Sequence, residues 1–240
     1  MKKERNSKLG YAKNGWLYKE KTAGYIFSAP FIFGFLFFVI VPVATSLYYA
    51  FCNYNILKPA RWVGLKNFID IFQDPTFYKA LGVTLKFAFI SVPLKLVFAL
   101  IVALILLKGT KLTPFYRAAY YLPSILGSSV AVAILWKRMF AVDGLVNKLL
   151  GIQFAWLGST TAALWVIILL AVWQFGSSML IFLSAMKQIP PELYEAARVD
   201  GAGGIYSFFR ITLPLLIPSI RINVITNIIG SLSVFDIVMS

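Results

Sequence analysis

The sequence predicts an all-α, polytopic helical membrane protein with five spans. Three observations carry this. Of its 240 residues, 60% are hydrophobic and only 13% are charged, too little charge for a soluble domain of this size to cover its own core. Five apolar stretches are long enough to cross a hydrocarbon layer, which takes roughly 20 helical residues each. The basic residues gather at the N-terminus and at the edges of these stretches, so the formal charge of +14 is a topology signal and not a nucleic-acid-binding face.

Residues 1–21 carry seven basic side chains and two acids and read as a basic tail. The uncharged run from Thr22 to Leu57 is too long for a cleaved signal core and reads as a signal-anchor, with the first span at about Tyr25 to Tyr49. Phe51 to Lys79 is a polar connection whose aromatic edges suit an outer membrane interface. The second span, Leu81 to Leu107, holds Lys86, Pro93 and Lys95. An ammonium inside a bilayer is costly. Each lysine should therefore face a partner, a wet cavity or the surface: Lys86 is expected to snorkel outward, and the deeper Lys95 reads as a satisfied structural lysine in preference to a substrate contact.

The third span, Ala118 to Trp136, is interrupted at Pro123 and carries the small residues Gly127, Ser128 and Ser129, which suit close helix packing. Lys137 to Ser159 reads as an outer loop. Thr160 to Met186 is the fourth span. The fifth covers about Ile211 to Met239 and contains Pro214, Pro218, Arg221, Asn223, Asn227, Ser231 and Asp236. Arg221 and Asp236 are expected to pair with neighbours or to sit near span ends.

Basic residues favour the cytoplasmic side. With the N-terminus inside, the tail and the two inner loops hold 7 + 3 + 3 = 13 of them and the outer loops 4 + 3 = 7. The N-terminus and the loop after the fourth span are therefore placed in the cytoplasm.

That loop, residues 190–214, reads PPELYEAARVDGAGGIYSFFRITLP. Two prolines suit the first turn of a helix, and Glu192 and Glu195 lie near its positive end. Ala196 and Ala197 keep the helix surface slim, as docking into a partner's groove requires. Gly201, Gly203 and Gly204 let the chain reverse. The spacing Glu195-Ala196-Ala197, three residues, Gly201, nine residues, then Ile211-x-Leu213-Pro214 resembles the signature loop of the membrane permease subunits of bacterial ABC importers. The phrase Trp62-Val63-Gly64-Leu65-x-Asn67-Phe68, and Leu122-Pro123 followed by Ser128-x-Val130-Ala131, are similar to segments of the carbohydrate branch, of the maltose and glycerol-3-phosphate type.

The resemblance implies a permease domain over residues 22–240 and a cytoplasmic coupling helix between spans four and five. The family fold has six spans, so the last one is expected to be missing from this sequence. The resemblance further implies a bacterial inner membrane location and a sugar or oligosaccharide substrate. Implied partners are a second homologous permease, two cytosolic ATPase subunits that bind the ATP and Mg²⁺, and an extracellular sugar-binding protein; lipid surrounds the spans. ATPase coupling falls to Glu192, Leu193, Tyr194, Glu195, Ala196, Ala197, Asp200 and Gly201.

No phosphate-binding Gly-x-x-x-x-Gly-Lys-Ser/Thr loop is present. With no histidine and the single cysteine Cys52, a Cys/His metal cluster and an internal disulfide are excluded. No cofactor is assigned to this chain. A substrate pathway near the bilayer midplane needs polar or aromatic groups. Trp173 and Ser177, and Asn227 and Ser231, are each spaced i, i+4 and so share a helix face; a tryptophan face can pack on a sugar ring while amides and hydroxyls replace its hydrogen bonds to water. Two other classes stand beside this reading. A channel or secondary carrier would have little use for a docking helix, and a membrane-embedded sugar transferase would need more interfacial carboxylates than this chain has.

Overall fold

In this computed structural model, residues 20–55, 57–127 and 129–233 are described. Most of the basic tail, Ser128, and the expected end of the fifth span with Asp236 lie outside them. The chain divides into two compact units, one up to Phe77 and one from Tyr78.

In the first unit, α1 (Glu20–Phe35) and α2 (Val41–Ala50) are joined by a π-helical turn at Leu36–Ile40. Together they give an apolar helix, Gly24–Ala50, with no side chain buried inside the structure. Pro42 cannot donate the next helical hydrogen bond, and the wide turn falls immediately before it. Residues after Ala50, expected as a polar interfacial connection, carry secondary structure of their own. They make an antiparallel hairpin of β1 (Cys52–Asn55) and β2 (Lys58–Trp62), then α3 (Lys66–Gln73). The Asn67 side-chain amide donates to the carbonyls of Ala50 at 2.9 Å and Cys52 at 3.0 Å, which pins the hairpin to the helix it follows. Phe51 stacks on Trp62 at 5.5 Å and meets Phe68 at 5.2 Å.

The second span is α4 (Pro75–Leu107), which starts six residues before the expected Leu81. Asp74 explains the early start, since its carboxylate accepts from the Thr76 N–H at 2.8 Å as a helix N-cap, with Pro75 in the first turn. Where the third span is expected lie two helices, α5 (Thr113–Leu126) and α6 (Val130–Met139). Inside the expected outer loop lies the short α7 (Leu145–Leu150). Buried Asn147 organises this loop: its amide donates to the carbonyls of Val142 and Phe154, and its oxygen accepts from the Trp156 indole at 2.6 Å.

The fourth span is also a pair, α8 (Thr160–Trp173) and α9 (Gly176–Lys187), bent by 40°. After it come α10 (Pro191–Val199), α11 (Gly204–Ser207), a π turn at Phe208–Thr212, and α12 (Leu213–Leu232). The last three form one helix from Gly204, seven residues before the expected start, and its π turn again lies just ahead of a proline, Pro214. Among the described residues three helices are long and apolar enough to cross a membrane, or five if each bent pair counts as one span.

The core of this second unit joins α4, α9 and α12. Ala99 and Ala103, one turn apart and fully buried, meet Met179, Phe182, Leu183 and Leu216. Lipid tails are as apolar as these side chains, so the gain on packing is van der Waals contact, and small alanines secure it by letting helices approach.

Candidate functional site: an intramembrane cavity and an exposed helix

Between α4, α8, α9 and α12 lies a cavity of about 490 Å³. Its apolar walls come from Phe87, Val92, Leu170 and Ile181. The polar groups are Ser91 and Lys95 from α4, Gln174 at the break between α8 and α9, Ser177 and Ser178 from α9, and Asn223, Thr226, Asn227 and Ser231 from α12. Of the four pathway residues expected from the sequence, Ser177 on α9 and Asn227 and Ser231 on α12 line this cavity.

Trp173 does not line the cavity. The helix breaks at Gln174–Phe175, between Trp173 and Ser177, so the i, i+4 phase that would place them on one face is not kept. The Trp173 ring packs instead on Trp136 at 5.6 Å, and the Trp136 indole donates to the Val166 carbonyl at 3.2 Å.

The break has its own support. Ser124 on α5 donates to the Gln174 carbonyl at 3.0 Å and accepts from the Ser177 N–H at 3.1 Å, so one hydroxyl satisfies two of the backbone groups that the interrupted helix leaves open, as hydrocarbon surroundings favour. Gly176 makes this possible. A Cβ there would lie 2.2 Å from the Tyr120 carbonyl oxygen and 2.7 Å from the Tyr121 Cα. The backbones of α5 and α9 touch at a point only glycine allows.

On α12, Asn223, Asn227 and Ser231 form a ladder at intervals of four residues. The Asn227 amide donates to Ser178 Oγ at 3.1 Å and to the Asn223 carbonyl at 2.8 Å. Asn223 is fully buried. Its amide donates to the Ser219 carbonyl, yet its Oδ1 has no partner, and a buried acceptor left unmade costs about 1–3 kcal/mol. Among the described residues Lys95 is the sole charged side chain in the cavity lining. It forms no ion pair among the described residues, although an ammonium at a helix centre costs about 2.5–3.5 kcal/mol to insert. Sequence reasoning missed Ser91, Gln174, Ser178, Asn223 and Thr226 as cavity groups. The signal was present, since Ser91 and Lys95 are four apart, as are Asn223 and Asn227.

The other expected site is exposed. On α10, Glu192, Leu193, Glu195 and Ala196 face outward, while Tyr194 and Ala197 are half-buried. The Tyr194 hydroxyl lies 2.8 Å from Thr212 Oγ1, and Thr212 is buried in the π turn that leads into α12. Asp200 ends α10. Gly201 follows with φ +79°, a left-handed conformation that an L side chain adopts only at a cost of about 1–2 kcal/mol, and the chain then turns back toward α11.

Apolar helices that enclose a polar cavity, together with an exposed amphipathic helix tied to one of them, have the form of a transport subunit, and comparison with known proteins gives the family. Residues 87–239 match the family described as the inner membrane component of binding-protein-dependent transport systems. The chain is 47% identical over 223 residues to the probable ABC transporter permease protein YesP of Bacillus subtilis (strain 168), covering 90% of this chain and 72% of that protein. It is 33% identical over 237 residues to the arabinooligosaccharides transport system permease protein AraP of the same organism, covering 93% and 74%. A chain from the crystal structure of a bacterial ABC transporter involved in the import of the acidic polysaccharide alginate superposes with a TM-score of 0.77 at 27% identity, over 91% of this chain and 77% of that one. This chain therefore belongs to the binding-protein-dependent transport system inner membrane components. It is an ABC-transporter permease, a transport subunit and not an enzyme.

Proposed function

We propose that this permease imports a sugar or oligosaccharide, forming half of the translocation path, and that α10 couples it to a cytosolic ATPase. One observation carries the proposal. The same stretch of chain, Gly204–Leu232, is tied to exposed α10 at its start, through Tyr194 and Thr212, and supplies the polar ladder of the cavity further along. A rigid α10, moved by an ATPase closing on ATP, would pull on the helix that walls the cavity, which is the rigid-body coupling by which transporters alternate access. Leu193 and Ala196 offer the apolar contact, and Glu192 and Glu195 the charge for a basic groove. ATP and Mg²⁺ belong to that partner.

A second homologous permease, a second ATPase subunit and an extracellular sugar-binding protein complete the assembly, with the N-terminus and α10 in the cytoplasm. In the cavity, Ser177, Asn227 and Ser231 would exchange hydrogen bonds with saccharide hydroxyls, and Trp173 would act from outside the lining, through its tilted ring contact with Trp136. Saccharide transport by related permeases and the size and polarity of the cavity support this reading. Its test is ATP-driven uptake in proteoliposomes carrying the complex. Glu195→Lys and Gly201→Pro are each expected to abolish uptake and release the ATPase; uptake and association both intact would refute the coupling role.

A further inference from the structure

We propose that the cavity between α4, α8, α9 and α12 selects a saccharide bearing an anionic group, such as a uronate carboxylate, with Lys95 as the residue that meets the charge. The inference rests on the saccharide-import reading above and adds the substrate class.

The cavity chemistry points this way. Hydroxyls and amides come from Ser91, Gln174, Ser178 and Asn227, and all of these are neutral at every accessible pH. Among the described residues that line the space, Lys95 is the one formal charge and none is a carboxylate. A neutral sugar would leave that ammonium facing hydroxyls alone, so the site would bear the desolvation of a charge without the gain of pairing it. A carboxylate on the substrate supplies the missing partner, and the charge-assisted contact formed inside a low-dielectric space is stronger than one between neutral groups.

The test uses the whole complex, purified through a tag on this chain from native membranes and placed in nanodiscs with its binding protein. Saccharide-stimulated ATP hydrolysis is measured with uronate disaccharides of the manno, gulo and galacto series and with the carboxyl-reduced counterpart of each. At least one uronate is expected to half-saturate at a concentration tenfold or more below its reduced counterpart. Lys95→Met is expected to erase that ratio, and Lys95→Arg, which keeps the cation, to preserve it. Equal response of the wild-type complex to both members of every pair overturns the proposal, and this arm needs no variant to fold. A ratio that survives in Lys95→Met overturns it too, because discrimination would then reside in the binding protein. If no saccharide of either kind stimulates hydrolysis, the saccharide reading itself fails and takes this inference with it.

Discussion

The Tyr194 hydroxyl lies 2.8 Å from that of Thr212, and the contact joins an exposed helix to the first turns of the helix that walls the cavity. Tyr194→Phe removes one hydrogen bond and leaves the ring. The loss is about 0.5–1.5 kcal/mol, so α10 should remain folded and the ATPase bound. Uptake per ATP hydrolysed is expected to fall several-fold, read by measuring both rates in the same proteoliposomes.

Gly176 sits where α5 and α9 touch, with the Tyr120 carbonyl oxygen 2.2 Å from the place of a Cβ. Gly176→Ala is expected to destabilise by about 1–3 kcal/mol, the usual cost of overpacking, seen as a lower thermal unfolding midpoint in detergent. Gly82→Ala is the control. No atom lies within 4 Å of its Cβ position, and in a helix alanine outranks glycine by about 0.8–1.0 kcal/mol, so that midpoint should hold or rise.

Ser124 satisfies two backbone groups at the break between α8 and α9, the Gln174 carbonyl and the Ser177 N–H. Ser124→Ala is expected to cost about 0.6–1.7 kcal/mol, in the range measured for polar contacts between membrane helices. Hydrogen exchange should increase at Ser177, whose N–H loses its acceptor, and stay unchanged along α12.

Asp74 caps α4, and the Thr76 N–H that its carboxylate accepts holds its carboxyl below the usual carboxylate range. A carboxyl lowered by folding contributes stability above its unfolded value, near 3.9, and loses it as pH falls through the lower folded value. Asp74→Ala should therefore lower the unfolding midpoint at pH 7 and by a smaller amount at pH 3. An equal effect at both would mean that charge has no part in the cap.

Much of this architecture was legible because lipid imposes a long apolar run on every span, and the helices of spans one, two and five follow those runs. What the sequence hid was set by contacts between distant residues. The hairpin at Cys52–Trp62 has few strand-forming residues, contains Pro59, and depends on Asn67 from the next helix. The break at Gln174–Phe175 has no proline to announce it and is made possible by Gly176 and Ser124, so pairing Trp173 with Ser177 assumed a helix that does not continue. Asn227 and Ser231 do share a helix face, because α12 is unbroken from Leu213 to Leu232. Early starts at Pro75 and Gly204 were readable in principle from Asp74-Pro75 and from the glycines before Ile205.

The central claim, that α10 is where the motor attaches, is tested most directly by placing a photo-crosslinking amino acid at exposed Ala196 and irradiating native membranes. The account predicts a covalent adduct with a nucleotide-binding ATPase subunit, identified by mass and lost when Gly201→Pro is added. An ATPase that co-purifies with the chain yet never crosslinks from Ala196, while crosslinking from another loop, would contradict it.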